Sequence, residues 1–186
     1  MNLKVKKIIK ELEAIPNHFA LYWNVHPATA QFLNILIKIT GAKRVLEIGT
    51  SNGYSGIHLA EALSHTHGRL YTVESHRKRF DLATINFKKS GLEKHIQQIF
   101  GHAPEILPKI KGPLDLVLID ATKMEYKSYL DALLPKIKKG GLIVSDNAVS
   151  HAQEMKDYLK FVTTSKKLQS VLLPLDSGLM LSYKLS

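Results

Sequence analysis

Cysteine is absent from this 186-residue chain, which excludes both a disulfide framework and a thiolate metal site. No apolar run approaches the roughly 20 residues that a bilayer-spanning helix requires. The opening stretch MNLKVKKIIKELEA sets charges between its apolar residues, so it reads as neither a signal peptide nor a membrane anchor. Repeats, low-complexity segments and flexible linkers are missing as well. One domain over residues 1–186 is therefore expected, in a cytoplasmic setting and without a membrane partner. Acidic residues are few: 16 Asp and Glu stand against 26 Lys and Arg, a formal net charge of +10. Such an excess favours anionic partners. Along the chain, however, the basic residues read as scattered rather than blocked, and a lysine-rich composition accounts for them.

What is present is ordinary for a globular protein: 45% hydrophobic and 23% charged residues. Val5, Ile8, Ile9 and Leu12 recur at helical spacing within Leu3 to Ala14, and Pro16 closes that helix. Residues 1–22 thus form a short helical extension. A second helix is expected from Pro27 to Gly41. Short apolar runs follow at Arg44 to Ile48, Arg69 to Val73, Ile96 to Phe100, Leu114 to Ile119, Gly141 to Ser145, Val171 to Leu175 and Gly178 to Lys184. Helical stretches alternate with them at Tyr54 to Leu63, Arg77 to Lys89, Glu125 to Lys136 and Glu154 to Ser165. This alternation predicts an α/β architecture with a mainly parallel, seven-stranded sheet covered on both faces. The last two runs, joined by Asp176, Ser177 and Gly178, leave no room for a crossover and should pair as an antiparallel hairpin.

The segment Val45 to Ser55, VLEIGTSNGYS, runs from a strand through a glycine-rich loop into a helix. Ligands of open α/β sheets bind beyond the carboxyl ends of the strands, and Gly49 and Gly53 would leave backbone room for one. Ser51 stands where the G-x-G-x-x-G pattern has its second glycine, which turns the loop away from a pyrophosphate. Glu74 ends the next strand, near the distance at which an acid binds ribose hydroxyls. Two further strands end in Asp120 and in Asp146-Asn147. If they are neighbours, three oxygen donors converge, a set suited to a hard cation such as Mg²⁺, with Mn²⁺ or Ca²⁺ as alternatives. Lys123 lies just beyond. His58, His65, His67 and His76 read as surface histidines, while Tyr54 fits the core or the cofactor and Trp23 either the acceptor or the first helix.

With WNV at 23–25, TVES at 72–75, GHAPEILP at 101–108, IDATKMEY at 119–126 and GGLIVSDNAV at 140–149, the chain resembles the metal-dependent catechol and caffeoyl-CoA O-methyltransferases. That resemblance implies a Rossmann-like class I methyltransferase fold and S-adenosylmethionine as cofactor. It implies that Val25, Glu47, Ser51, Ser55, Glu74 and Ser75 border the cofactor, together with Gly49, Gly53 and Asp120, and that His102 and Ala103 lie near the adenine. Asp120, Asp146 and Asn147 would hold the metal, and Lys123 would be the general base that deprotonates the acceptor. The implied reaction is methyl transfer to a hydroxyl of a catechol-like or other small-molecule acceptor. Two alternatives stand beside it: a tRNA hydroxyuridine O-methyltransferase, to which the charge and the short N-terminal wall lend weight, and a non-catalytic S-adenosylmethionine-binding module. Relatives of this kind are often dimers, so a homodimer is also possible.

Overall fold

The expected alternation is what a computed structural model of the chain displays over residues 2–186, with Met1 outside the described residues. The elements are α1 (Leu3–Glu13), α2 (His18–Tyr22), α3 (Pro27–Thr40), β1 (Arg44–Ile48), α4 (Tyr54–Thr66), β2 (Arg69–Glu74), α5 (Arg77–Ser90), β3 (Ile96–Phe100), α6 (Ala103–Ile106), β4 (Leu114–Ile119), α7 (Tyr126–Leu133), β5 (Ile137–Ser145), α8 (Lys156–Thr164), β6 (Leu168–Leu173) and β7 (Leu179–Lys184). The seven strands form one sheet in the order β3-β2-β1-β4-β5-β7-β6. The first five are parallel, while β7 runs antiparallel to both β5 and β6. The order reverses between β1 and β4, where open α/β sheets place their ligands.

Several boundaries differ from the sequence expectation, among them the start of β6, which is Leu168 rather than Val171, and the three that follow. The segment after Pro16 folds into the short α2, held between two left-handed residues, Asn17 and Trp23. β5 begins at Ile137 rather than Gly141, because Ile137 already pairs with Leu114 across a register shift. β6 ends at Leu173, so the hairpin is closed by residues 174–178 rather than by three residues.

Alternation along each strand divides the core. On β4, Val117 and Ile119 join Tyr126, Leu130 and Tyr158 on the α7–α8 side. Leu116 and Leu118 face Leu33, Ile37, Leu59 and Leu63 on the α3–α4 side. Helix α1 presents Val5, Ile8, Ile9 and Leu12 to Ile57 and Phe87, and burial of each such side chain stabilises by about 1.5–3 kcal/mol. No helix among the described residues is long and apolar enough to cross a membrane.

One backbone position is fixed by the approach of two strands. Gly49 has φ +100°, and a Cβ there would overlap the carbonyl oxygen of Asp120. Gly49→Ala therefore combines an unfavourable backbone with a backbone clash, and a loss of about 3 kcal/mol or more is expected. Urea denaturation checks this; an alanine variant within about 1 kcal/mol of wild type would contradict the close approach.

Candidate functional site

The parallel ladder carries the chemistry to one edge. Ile48 pairs with Ile119, and Ile119 with Ser145. The ladder runs one step further: the Asp120 amide donates to Ile48 O at 2.9 Å and the Asp146 amide to Ile119 O at 3.1 Å. Gly49, Asp120 and Asp146 consequently stand side by side at the carboxyl ends of β1, β4 and β5. Beyond them opens a cleft of about 620 Å³.

On its β1–β2 side, the Glu74 carboxylate organises the glycine loop. Its two oxygens accept from the Ser51 amide and the His76 amide, both at 2.8 Å. Each oxygen keeps a further acceptor site for a ligand diol. Ser51 itself is left-handed, with φ +49°, and its hydroxyl donates to Tyr22 O at 2.6 Å, which ties α2 to the loop. On the β3 side, His102 Nε2 lies 3.3 Å from Glu125, whose carboxylate also accepts from the Tyr129 hydroxyl. Burial, followed by this carboxylate, raises the Tyr129 phenol well above its ordinary value, so it stays a hydrogen-bond donor.

On the β4–β5 side, Lys123 Nζ donates to Asp120 Oδ1 at 3.0 Å, and Ser177 Oγ donates to Asp146 Oδ1 at 2.7 Å. Asn147 is left-handed, with φ +67°, a conformation asparagine tolerates. Burial pushes the Asp120 carboxyl up to about 6; Lys123 opposes that shift, Asp146 adds to it, and His151 opposes it in turn. Two crowded carboxylates against one ammonium form a hard-oxygen site that added positive charge would relieve. Among the described residues no three His, Cys, Asp or Glu side chains gather as a metal group, so any cation here would rest on two carboxylates and the Asn147 amide.

The cleft brings together Gly49, Ser51, Ser55, Glu74, Ser75, His102, Ala103, Asp120, Lys123, Asp146 and Asn147. Val25, Glu47 and Gly53 stand behind its wall. Val25 is buried against the α1 cluster, and Gly53 packs against Phe87. Glu47 is fully buried, accepting from Ser55 Oγ and Thr72 Oγ1 at 2.6 Å each. Burial drives its carboxyl up to about 7; the Ser55 and Thr72 bonds oppose that, and Asp120 and Glu74 add to it. Because the folded value lies above the ordinary one, Glu47 contributes its stability below about pH 4.5 and loses it as pH rises through about 7. Glu47→Gln should remove that slope. Relative to the variant, the wild type should lose up to about 3 kcal/mol between pH 5 and 8 in urea denaturation, and parallel pH profiles would count against a protonated Glu47.

Several residues gain roles that sequence reasoning did not give them. Ser177, in the β6–β7 turn, orients Asp146, and neighbouring Asp176 accepts from the Thr29 hydroxyl at the start of α3; both contacts span long sequence distances. His151 lines the cleft one helical turn beyond Asn147, whose carbonyl accepts its amide, and that spacing was available as a signal. Trp23 is 72% exposed at the cleft mouth under Arg79 rather than packed on α1. Tyr54 is core, with its hydroxyl donating to Glu13. His58 corrects the surface reading. It is 4% exposed, neither ring nitrogen has a hydrogen-bond partner, and burial holds its pKa down to about 4. His65, though exposed, sits 3.0 Å from Glu61.

A sequence profile of the O-methyltransferase family matches residues 3–185. Over 130 residues the chain is 38% identical to a catechol O-methyltransferase of Niastella koreensis, covering 68% of this chain and 58% of that protein. It is 34% identical over 155 residues to caffeoyl-CoA O-methyltransferase 1 of Zea mays, covering 75% and 60%. The chain thus spans somewhat over half the length of such relatives. The structure superposes on an O-methyltransferase from Bacillus cereus in complex with SAH with a TM-score of 0.85 and 25% identity, covering 99% of this chain and 91% of that one. The sheet order and hairpin are those of class I methyltransferases, and the chain belongs to the O-methyltransferase family.

Proposed function

We propose that this protein moves a methyl group from S-adenosylmethionine to a hydroxyl of a catechol-like or other small-molecule acceptor, assisted by a divalent cation. The observation that carries this reading is the placement of Asp120, Lys123, Asp146 and Asn147 in the same cleft as Glu74 and the glycine loop. A cofactor-binding module would need only the second group. The cofactor supplies a methyl on a sulfonium, and a cation such as Mg²⁺ supplies positive charge that lowers the pKa of an acceptor hydroxyl.

The chain's own residues do the rest. Glu74 accepts from the ribose diol while holding the loop through the Ser51 amide. His102 and Ala103 flank the far end of the cleft, where the adenine would lie. Asp120, Asp146 and Asn147 present oxygens to the cation, and Ser177 fixes the Asp146 carboxylate. Lys123, once its ammonium has released a proton to solvent, would take the proton from the acceptor hydroxyl, whose oxygen would bond the methyl carbon while the carbon–sulfur bond breaks and the cofactor leaves as a neutral thioether. Its side chain is 20% exposed, so the proton then passes to solvent. Holding both reactants in one cleft removes the entropy cost of their encounter. A cytoplasmic setting belongs to the same reading.

A screen with labelled cofactor, with and without Mg²⁺, tests it against catechols and other vicinal diols. Magnesium-dependent label in an acceptor supports the reading; no transfer to any hydroxyl at saturating cofactor and metal rejects it.

A further inference from the structure

The basic residues are scattered along most of the chain, but the structure singles out one block. His76-Arg77-Lys78-Arg79 is a run of four at the start of α5, whose first turn contains no acid. Positive side chains at the positive end of a helix work against the helix dipole, so the dipole does not account for their placement. One of them meets an acid: Arg77 Nε lies 3.1 Å from Asp81.

The two arginines of this run lie against aromatic rings on separate elements. Arg79 lies over Trp23 at 4.3 Å from the ring centre. Arg77 lies over Phe100 at 5.4 Å, and Phe80 meets Phe100 edge to face at 5.5 Å. Neither Trp23 nor Phe100 serves a core cluster; they are 72% and 45% exposed. Trp23, His76 and Arg79 also line the cleft mouth. Phe100 pairs in register with Glu74, so this patch borders the cofactor side of the same cleft.

Exposed rings interleaved with guanidinium and ammonium groups match a ligand that alternates flat bases with phosphates. The core of a protein interface is depleted in charged residues, whereas here the rings are set among Arg77, Lys78 and Arg79. We propose that the first turn of α5, with Trp23 and Phe100, is a binding surface for single-stranded nucleic acid at the mouth of the cleft. The proposal goes beyond the small-molecule reading and uses neither Lys123 nor the carboxylates.

Trp23 is the chain's one tryptophan, so its emission reports on the patch. The full chain, without cofactor, is titrated with a short unstructured oligouridylate at low salt. Saturable quenching of Trp23 is expected, with affinity falling steeply in log salt. Lys78→Glu should weaken binding about tenfold and lower the salt slope by about one or more, while its new N-terminal acid holds or raises the melting temperature. Phe100→Ala should weaken binding with the salt slope unchanged, because stacking carries no counterion release. Absence of binding at low salt overturns the proposal. So does heparin binding as tightly as the oligonucleotide with Phe100→Ala having no effect, which marks a generic polyanion surface. Tighter binding to phosphatidylserine vesicles overturns it in favour of a membrane. Since no methyl transfer is measured, a failed acceptor screen leaves this result standing, and the reverse also holds.

Discussion

Lys123→Ala is expected to slow methyl transfer by about a hundredfold to ten-thousandfold, the range spanned by positioned general bases, and to leave SAH affinity within about twofold. The expectation rests on position. Lys123 lies one turn past β4 and is held by Asp120 at 3.0 Å, on the opposite side of the cleft from Glu74 and the glycine loop. Single-turnover transfer of labelled methyl measures the chemical step, and calorimetric titration with SAH measures binding. Lys123→Arg is the informative control, because it keeps the ion pair with Asp120 but stays protonated. A slow alanine variant beside an active arginine variant would make Lys123 an electrostatic support for Asp120. A loss confined to SAH affinity would remove it from the chemistry altogether.

Excess chelator should abolish methyl transfer, and Mg²⁺ should restore it in the wild type but not in Asp146→Ala. Changes to residues that merely support metal ligands already cost about 10–100-fold, so removing one of the carboxylates should cost at least about a hundredfold. A second readout needs no acceptor. Any ion that binds the folded state alone raises the melting temperature. Mg²⁺ should stabilise the wild type and have little effect on Asp146→Ala, since relief of the crowding between Asp120 and Asp146 requires both carboxylates. Full activity in chelator, or equal stabilisation of the variant, would detach these residues from a metal role. Ser177→Ala should show the same pattern more weakly, because it frees Asp146 without removing it.

The strand pattern was legible in the sequence because a doubly covered parallel sheet writes itself as continuous apolar runs such as LDLVLI. The convergence of Gly49, Asp120 and Asp146 was legible too, because each immediately follows a run. What periodicity could not supply was contact between distant segments. Ser177 meets Asp146 across 31 residues, and Asp176 meets Thr29 across 147. His58 was misread because α4 is covered on nearly every side, by α3, by α1 and by the sheet. A polar residue on a fully surrounded helix looks, in sequence, like one on an exposed face. Glu47 shows the opposite failure: a charged residue in a strand beside the cleft turns inward, where Ser55 and Thr72 hold it. Even α2 follows from geometry the pattern does not record, since left-handed Asn17 and Trp23 set its ends.

The position of β7 gives the site an order of assembly. In chain order β1, β2 and β3, with the Glu74 carboxylate, come before β4 and β5. Strand β5 keeps an open edge until β7, which follows β6 in the chain, inserts between the two. The turn entering β7 also brings Ser177 to Asp146. A chain that reached only residue 175 would therefore carry Asp120 and Asp146 with the edge of β5 still open and without the hydroxyl that holds the Asp146 carboxylate.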